Sequence, residues 1–246
     1  MMRILKSKKA LFLVVLFVVF LSLYSLKTVV FLFPNKVYAH RVNSLENLEA
    51  AAHQFMGVEL DVTVSIAPPY FDVNHPPAQS RGLSLETYLQ KATELDITHF
   101  WFDVKNLDAE KATVLNEHLP KLLKQFKIEH SNCIIESTLP AHLQKLNSYG
   151  FKTSFYLPTL KKSGVDNVLN HINNESKKAP TTFFSTSFEE LSIAKNSFKN
   201  RSFISWYGGT PHYSEKLQSR LHLYKYLYNN DVEVILVPLH TNKGDR

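Results

Sequence analysis

The sequence predicts an α/β fold, a (β/α)8 barrel, on three observations. Eight short apolar, β-branched or aromatic runs recur along the chain. Seven segments with helical spacing separate them, and a composition of 44% hydrophobic and 12% aromatic residues over 246 positions is enough to fill a large core. A doubly wound open sheet is the alternative. It needs fewer strands and a glycine-rich first turn, and this chain has seven glycines in all.

The strand runs are Val37–His40, Gly57–Ser65, His99–Lys105, Asn132–Ser137, Lys152–Leu157, Thr181–Ser185, Ser202–Tyr207 and Val232–Pro238. Between the first two, Leu45, Leu48, Ala51, Ala52 and Phe55 keep one apolar face at steps of three and four. Ser84 reads as the cap of a second helix, and Leu107-Asp108 precedes a third rich in leucine. Weaker helical stretches follow Pro140, Gly164, Ser187 and Pro211, and Ala67–Gly82 reads as a long irregular loop. About eight residues follow the last strand, too few for a closing helix. The apolar segment Thr28–Pro34 is expected to cover that outer face instead.

Charge excludes one class of partner. The formal +6 is concentrated at the start: Arg3, Lys6, Lys8, Lys9 and Lys27 precede residue 28 without an acid, leaving 23 bases against 22 acids in the rest. A nearly neutral body argues against nucleic acid. The single cysteine, Cys133, sits in an apolar run and is expected to be a buried, inert thiol.

Ala10–Leu26 is an apolar run broken only by serines and a tyrosine, and it suffices for a bilayer span with modest help from its flanks and from Lys27 reaching back to the interface. Val37-Tyr38-Ala39 is the competing signal-cleavage candidate, and it would cut directly before His40. The four bases before Ala10 place that end on the cytoplasmic side. The expected organisation is therefore a basic N-terminus and membrane anchor over 1–35 and a barrel domain over 36–246. The barrel then lies on the extracytoplasmic, periplasmic side of the inner membrane.

The candidate chemistry lies between His40 and Lys105. Glu59 and Asp61 stand two apart on a strand and therefore share a face, while Val58, Leu60 and Val62 turn away. Adjacent carboxylates repel unless a cation lies between them. Asp103, near the end of the next strand, adds a third. Hard oxygen donors without thiolate suit Mg²⁺ or Ca²⁺ better than zinc. Each acid taken alone is more often a salt-bridge partner; the ordered set favours a metal.

The set His40-Arg41, Glu46-Asn47, Glu59-Leu60-Asp61, His75 and Asp103-Val104-Lys105 resembles the glycerophosphodiester phosphodiesterase superfamily, over roughly Tyr38 to Leu107. His40-Arg41-Val42-Asn43-Ser44 and His75-Pro76-Pro77 look closer to its menorin branch. The resemblance implies a metal-dependent phosphoric diester hydrolase acting on a glycerophosphodiester or lipid-derived head group. It implies Glu59, Asp61 and Asp103 as ligands and His40 and His75 as the proton-transfer pair. Arg41 and Lys105 would hold phosphoryl oxygens, and Glu46 would be a further metal or supporting group, unless it is only a first-turn acid favoured by the helix dipole. Glu136, Trp206, Tyr207 and His240, from later strand ends, are candidate lining residues, with Trp206 a substrate-contacting wall.

Three positions depart from the family pattern. Val42 stands where glycine is usual, Pro76 where aspartate follows the second histidine, and Asp103 where glutamate is usual. These departures leave a second reading: a catalytically silent barrel that binds a ligand or partner at the same cleft. Glycoside hydrolysis by Glu59 with another carboxylate is a third, and it uses neither the histidines nor Lys105.

Overall fold

In the computed structural model, residues 8–9, 11–16, 26–160, 165–206 and 223–239 are described. Eight parallel strands close into a barrel: β1 (Val37–His40), β2 (Gly57–Ser65), β4 (His99–Val104), β5 (Cys133–Ser137), β6 (Lys152–Tyr156), β7 (Phe183–Ser187), β8 (Ser202–Trp206) and β9 (Val232–Pro238). β1 pairs with β2 on one side and β9 on the other, which completes the circle. All eight expected strands are present, to within a residue or two at their ends.

A ninth strand was not expected. β3 (Tyr70–Val73) lies inside the supposed loop Ala67–Gly82 and folds back antiparallel on β2, Ser65 opposite Tyr70 and Val62 opposite Val73. Its alternation is only four residues long and is preceded by Pro68-Pro69, so turn chemistry masks it. The hairpin runs past the barrel rim and returns, and the Asn74 N–H then donates to the Asp61 carbonyl at 3.1 Å. His75 is thereby brought back to the level of Asp61.

The helices are α1 (Leu26–Leu32), α2 (Leu45–Ala52), α3 (Leu85–Glu94), α4 (Ala109–Gln125), α5 (Gln144–Ser148), α6 (Val165–Lys178) and α7 (Phe188–Ser197), with residues 223–227 also helical. The Ser44, Ser84 and Asp108 side chains accept from the backbone N–H three residues on, at 3.1, 3.0 and 2.9 Å, and so cap α2, α3 and α4. The stretch directly after Pro211 lies outside the described residues.

Two apolar clusters divide the packing. Outward residues of the strands and the inner faces of the helices form the large one. Inside the barrel, Tyr38, Trp101, Ile134, Phe183, Ile204, Val234 and Leu236 form a plug. Tyr38 lies flat against Gly57, where an added Cβ would sit 2.4 Å from the ring. Val29 and Val30 of α1 are buried in the outer cluster with Val37, Ala39, Ile235 and Val237 of β1 and β9. Thr28–Pro34 thus packs on the barrel through Val29 and Val30, while Phe31 and Leu32 are exposed.

Among the described residues no helix is long and apolar enough to cross a membrane. Most of the expected span Ala10–Leu26 lies outside them; residues 11–16 are helical and exposed.

Candidate active site

Parallel pairing brings the acidic residues into one layer. Asp61 of β2 is opposite Asp103 of β4, Asp103 is opposite Glu136 of β5, and Glu136 is opposite Ser154 of β6. Ala39 pairs with Val58, which sets His40 level with Glu59 one step lower. The plug forms the floor beneath. His40, Arg41, Glu59, Asp61, His75, Asp103, Lys105 and Trp206, the residues singled out in the sequence, all line one cavity of about 100 Å³.

Glu59, Asp61 and Asp103 are buried, and one oxygen from each lies within 4.8 Å of the others. Burial, followed by the charges of Asp61 and Asp103, pushes Glu59 well above the ordinary carboxylate range. Burial also raises Asp103, although the Lys105 ammonium works against it. Lys105 Nζ lies 2.8 Å from Asp61 Oδ1 and also bonds Asp103. Burial disfavours its charge, but the two carboxylates outweigh that and hold the ammonium protonated. The three carboxyl groups outnumber the one ammonium among them, and burial together with mutual repulsion favours a proton on part of the set. Three convergent oxygen donors, whose ionised forms a cation would stabilise, fit a hard divalent ion.

The carboxyl groups are held in place by their neighbours. The Asn43 amide donates to Asp61 Oδ2 at 2.6 Å and accepts from the Asp61 N–H at 2.8 Å, clamping side chain and backbone together. The Arg41 N–H donates to Glu59 Oε2 at 2.7 Å. The left-handed conformation of this loop falls on Arg41, at φ 58°, and not on residue 42. Valine at position 42 is therefore compatible with the loop: it is buried, and its N–H donates to the Glu59 carbonyl at 2.8 Å.

His40 Nε2 is 3.7 Å from Glu59 Oε2. Burial, and then the neighbouring Arg41, lower its pKa to about 3, so the imidazole is neutral at ordinary pH. Across the cavity Glu136 accepts a hydrogen bond from Ser154 Oγ at 2.8 Å. Burial and the charge of Asp103 raise its pKa to about 8. Trp206 stacks on Tyr156, ring centroids 5.0 Å apart, and both rings line the cavity. Trp101 Nε1 is buried with no protein acceptor among the described residues, an uncommitted donor in the cavity lining.

Several sequence expectations need adjustment. Glu46 is exposed on the first turn of α2 and is not part of the acidic cluster, so it fits the reading as a helix-dipole acid and not that of a metal group. Tyr207 and His240 lie outside the described residues. Asn43 and Tyr156 were missed as site residues; the inward period of β6, shared with Ser154, is the only sequence signal for Tyr156. Cys133 is buried, and burial pushes its thiol up, in keeping with an inert side chain.

No family model matches the sequence, and no curated protein does. Among solved structures the fold is similar to a glycerophosphodiester phosphodiesterase from Parabacteroides distasonis, at 18% identity and a TM-score of 0.58, covering 83% of this chain and 92% of that one. A candidate glycerophosphoryl diester phosphodiesterase from Agrobacterium tumefaciens matches at 15% identity and 0.58, covering 82% and 93%. The N-(5'-phosphoribosyl)anthranilate isomerase of Pyrococcus furiosus also matches, at 13% and 0.50, covering 85% and 90%. These likenesses show the barrel fold, which hosts many chemistries.

Proposed function

We propose that the chain is a membrane-anchored, metal-dependent phosphodiester hydrolase, nearest in motif to the menorin branch of the glycerophosphodiester phosphodiesterases. The convergence of Glu59, Asp61 and Asp103 with two histidines in one barrel mouth carries this reading. Structural similarity to diesterases of the same architecture supports it. The apolar run Ala10–Leu26 supports the anchor, with the barrel on the extracytoplasmic side.

Glu59, Asp61 and Asp103 would hold Mg²⁺ or Ca²⁺. When bound, the cation supplies a Lewis acid that polarises the phosphoryl group. Arg41 and Lys105 offer positive charge to the phosphoryl oxygens as charge develops on them. Neutral His40 accepts the proton of the attacking water or hydroxyl, and His75, arriving on the opposite strand of the hairpin, donates one to the departing alcohol. The Trp206–Tyr156 pair forms an aromatic wall against the rest of the head group.

The test is hydrolysis of soluble phosphodiesters by residues 26–246, with Mg²⁺, Ca²⁺ or EDTA. Turnover is expected to require the cation and to fall about 10² to 10⁴-fold in His40→Ala, and Glu59→Ala is expected to lose cation-supported turnover. Cation binding without turnover of any diester would instead favour the silent barrel. Lys105 already lies between two of the carboxylates, and a cationic side chain filling that space is the observation on which the silent reading stands.

A further inference from the structure

Apart from residues 11–16, the exposed large hydrophobic side chains among the described residues are Phe31, Leu32, Met56, Leu139, Tyr149 and Tyr228. Met56, Tyr149 and Tyr228 stand a few residues before a strand, at the N-terminal end of the barrel opposite the cavity, and Phe31 and Leu32 close the helix that leads into β1. Tyr228, Phe31-Leu32 and Met56 lead into β9, β1 and β2, which pair side by side. They stand at neighbouring strand entries, along one arc of the barrel. Phe31 is 82% exposed, a large ring left in water in a chain that buries its neighbours Val29 and Val30.

The arc is continuous with the segment that needs lipid. Ala10–Leu26 ends where α1 begins, and Phe31 lies five residues further on. The joint between α1 and the barrel is braced. The Phe33 N–H donates to the Val29 carbonyl at 3.0 Å, the Val37 N–H to the Phe33 carbonyl at 3.1 Å, and Lys36 Nζ to the Asn229 carbonyl at 2.8 Å. The Phe33 and Tyr228 rings meet edge-on at 5.2 Å. These contacts fix the end of α1 against the entries to β1 and β9.

We infer that the N-terminal end of the barrel docks on the bilayer that holds the apolar segment, with the catalytic cavity opening away from it into water. This rests on the anchor reading given above. Asp61 lies five residues beyond Met56 on the way up β2, so at about 3.3 Å per residue the cavity stands at most roughly 16 Å off the lipid surface. A phosphodiester still embedded in that bilayer is out of reach.

The full chain in phospholipid liposomes, carrying a nitroxide at Met56→Cys, Tyr228→Cys or Leu139→Cys, tests the docking. Cys133 is buried and does not take the label. Positions 56 and 228 are expected to favour collision with oxygen over a water-soluble nickel chelate by several-fold relative to position 139. Phe31→Ser combined with Leu32→Ser is expected to shift position 228 toward the chelate while the chain stays in the membrane. Labels at 56 and 228 as aqueous as 139, in a chain that resists carbonate extraction, would overturn the docking and leave the anchor standing. A chain released by carbonate refutes the anchor and the docking with it. In the same liposomes glycerophosphocholine should be hydrolysed and the vesicle phospholipid left intact. Hydrolysis of the vesicle lipid would overturn the inferred orientation. If neither is hydrolysed, the hydrolase reading fails, and the label pattern still decides the docking.

Discussion

Asn43 grips Asp61 from both ends of its amide, and no single-residue preference would have revealed that pairing. Asn43→Ala would leave a buried carboxylate oxygen and a backbone N–H without partners, a loss of about 1 to 3 kcal/mol of stability. By freeing the ligand it is also expected to weaken Mg²⁺ or Ca²⁺ binding about 10 to 100-fold. Denaturant unfolding and calorimetric titration check the two effects; unchanged cation affinity would make the clamp purely structural. Glu136 gives a pH signature. Its pKa rises from 4.5 to about 8 on folding, chiefly through burial, so the folded state binds the extra proton between those values. Its stabilising contribution is complete below about pH 4.5 and is lost as pH rises through 8. Glu136→Gln, which stays neutral, should flatten this part of the stability profile between pH 5 and 8 when measured in EDTA. A slope identical to the parent's would show that Glu136 ionises normally.

At the level of elements, Gly57 and Tyr38 show how the floor of the site is built. The Tyr38 ring fills the space a side chain at 57 would need. Gly57→Ala is expected to cost about 1 to 3 kcal/mol by overpacking, and Tyr38→Leu in the same chain should recover part of it; an unaltered midpoint in urea would mean the ring moves aside freely. The barrel strands were legible because each is an apolar run bounded by polar punctuation, and Glu59, Asp61 and Asp103 because a two-residue period fixes which side chains share a face. β3 was not legible, since four residues after a double proline carry too little periodicity. That strand governs the placement of His75, so the sequence named the residue without showing what carries it. Asn43 and Tyr156 escaped for a related reason: their roles depend on which strands are neighbours, and pairing order is not a local property.

For the molecule as a whole, the question is what secures the seam where the barrel closes. β9 pairs with β1 in register from Val37 opposite Ile235 to His40 opposite Pro238, so the hydrogen-bonded circle is completed there. Val29 and Val30, 0% and 3% exposed, add buried apolar surface from ahead of β1. A chain beginning at Lys36 keeps every barrel strand but loses both valines. Full burial of such a side chain contributes about 1.5 to 3 kcal/mol, and the exposed faces of Val37, Ala39, Ile235 and Val237 would add to the loss. The Lys36 chain should therefore unfold at clearly lower urea than one beginning at Leu26. Val29→Ser with Val30→Ser in the longer chain should reproduce most of the difference. Because Ala39 precedes His40 on β1, a loosened β1–β9 seam is also expected to lower activity in the shorter chain before its secondary structure is lost. Equal midpoints and equal turnover for the two chains would show that the eight strands alone hold the site, and that α1 serves only to join the barrel to what precedes it.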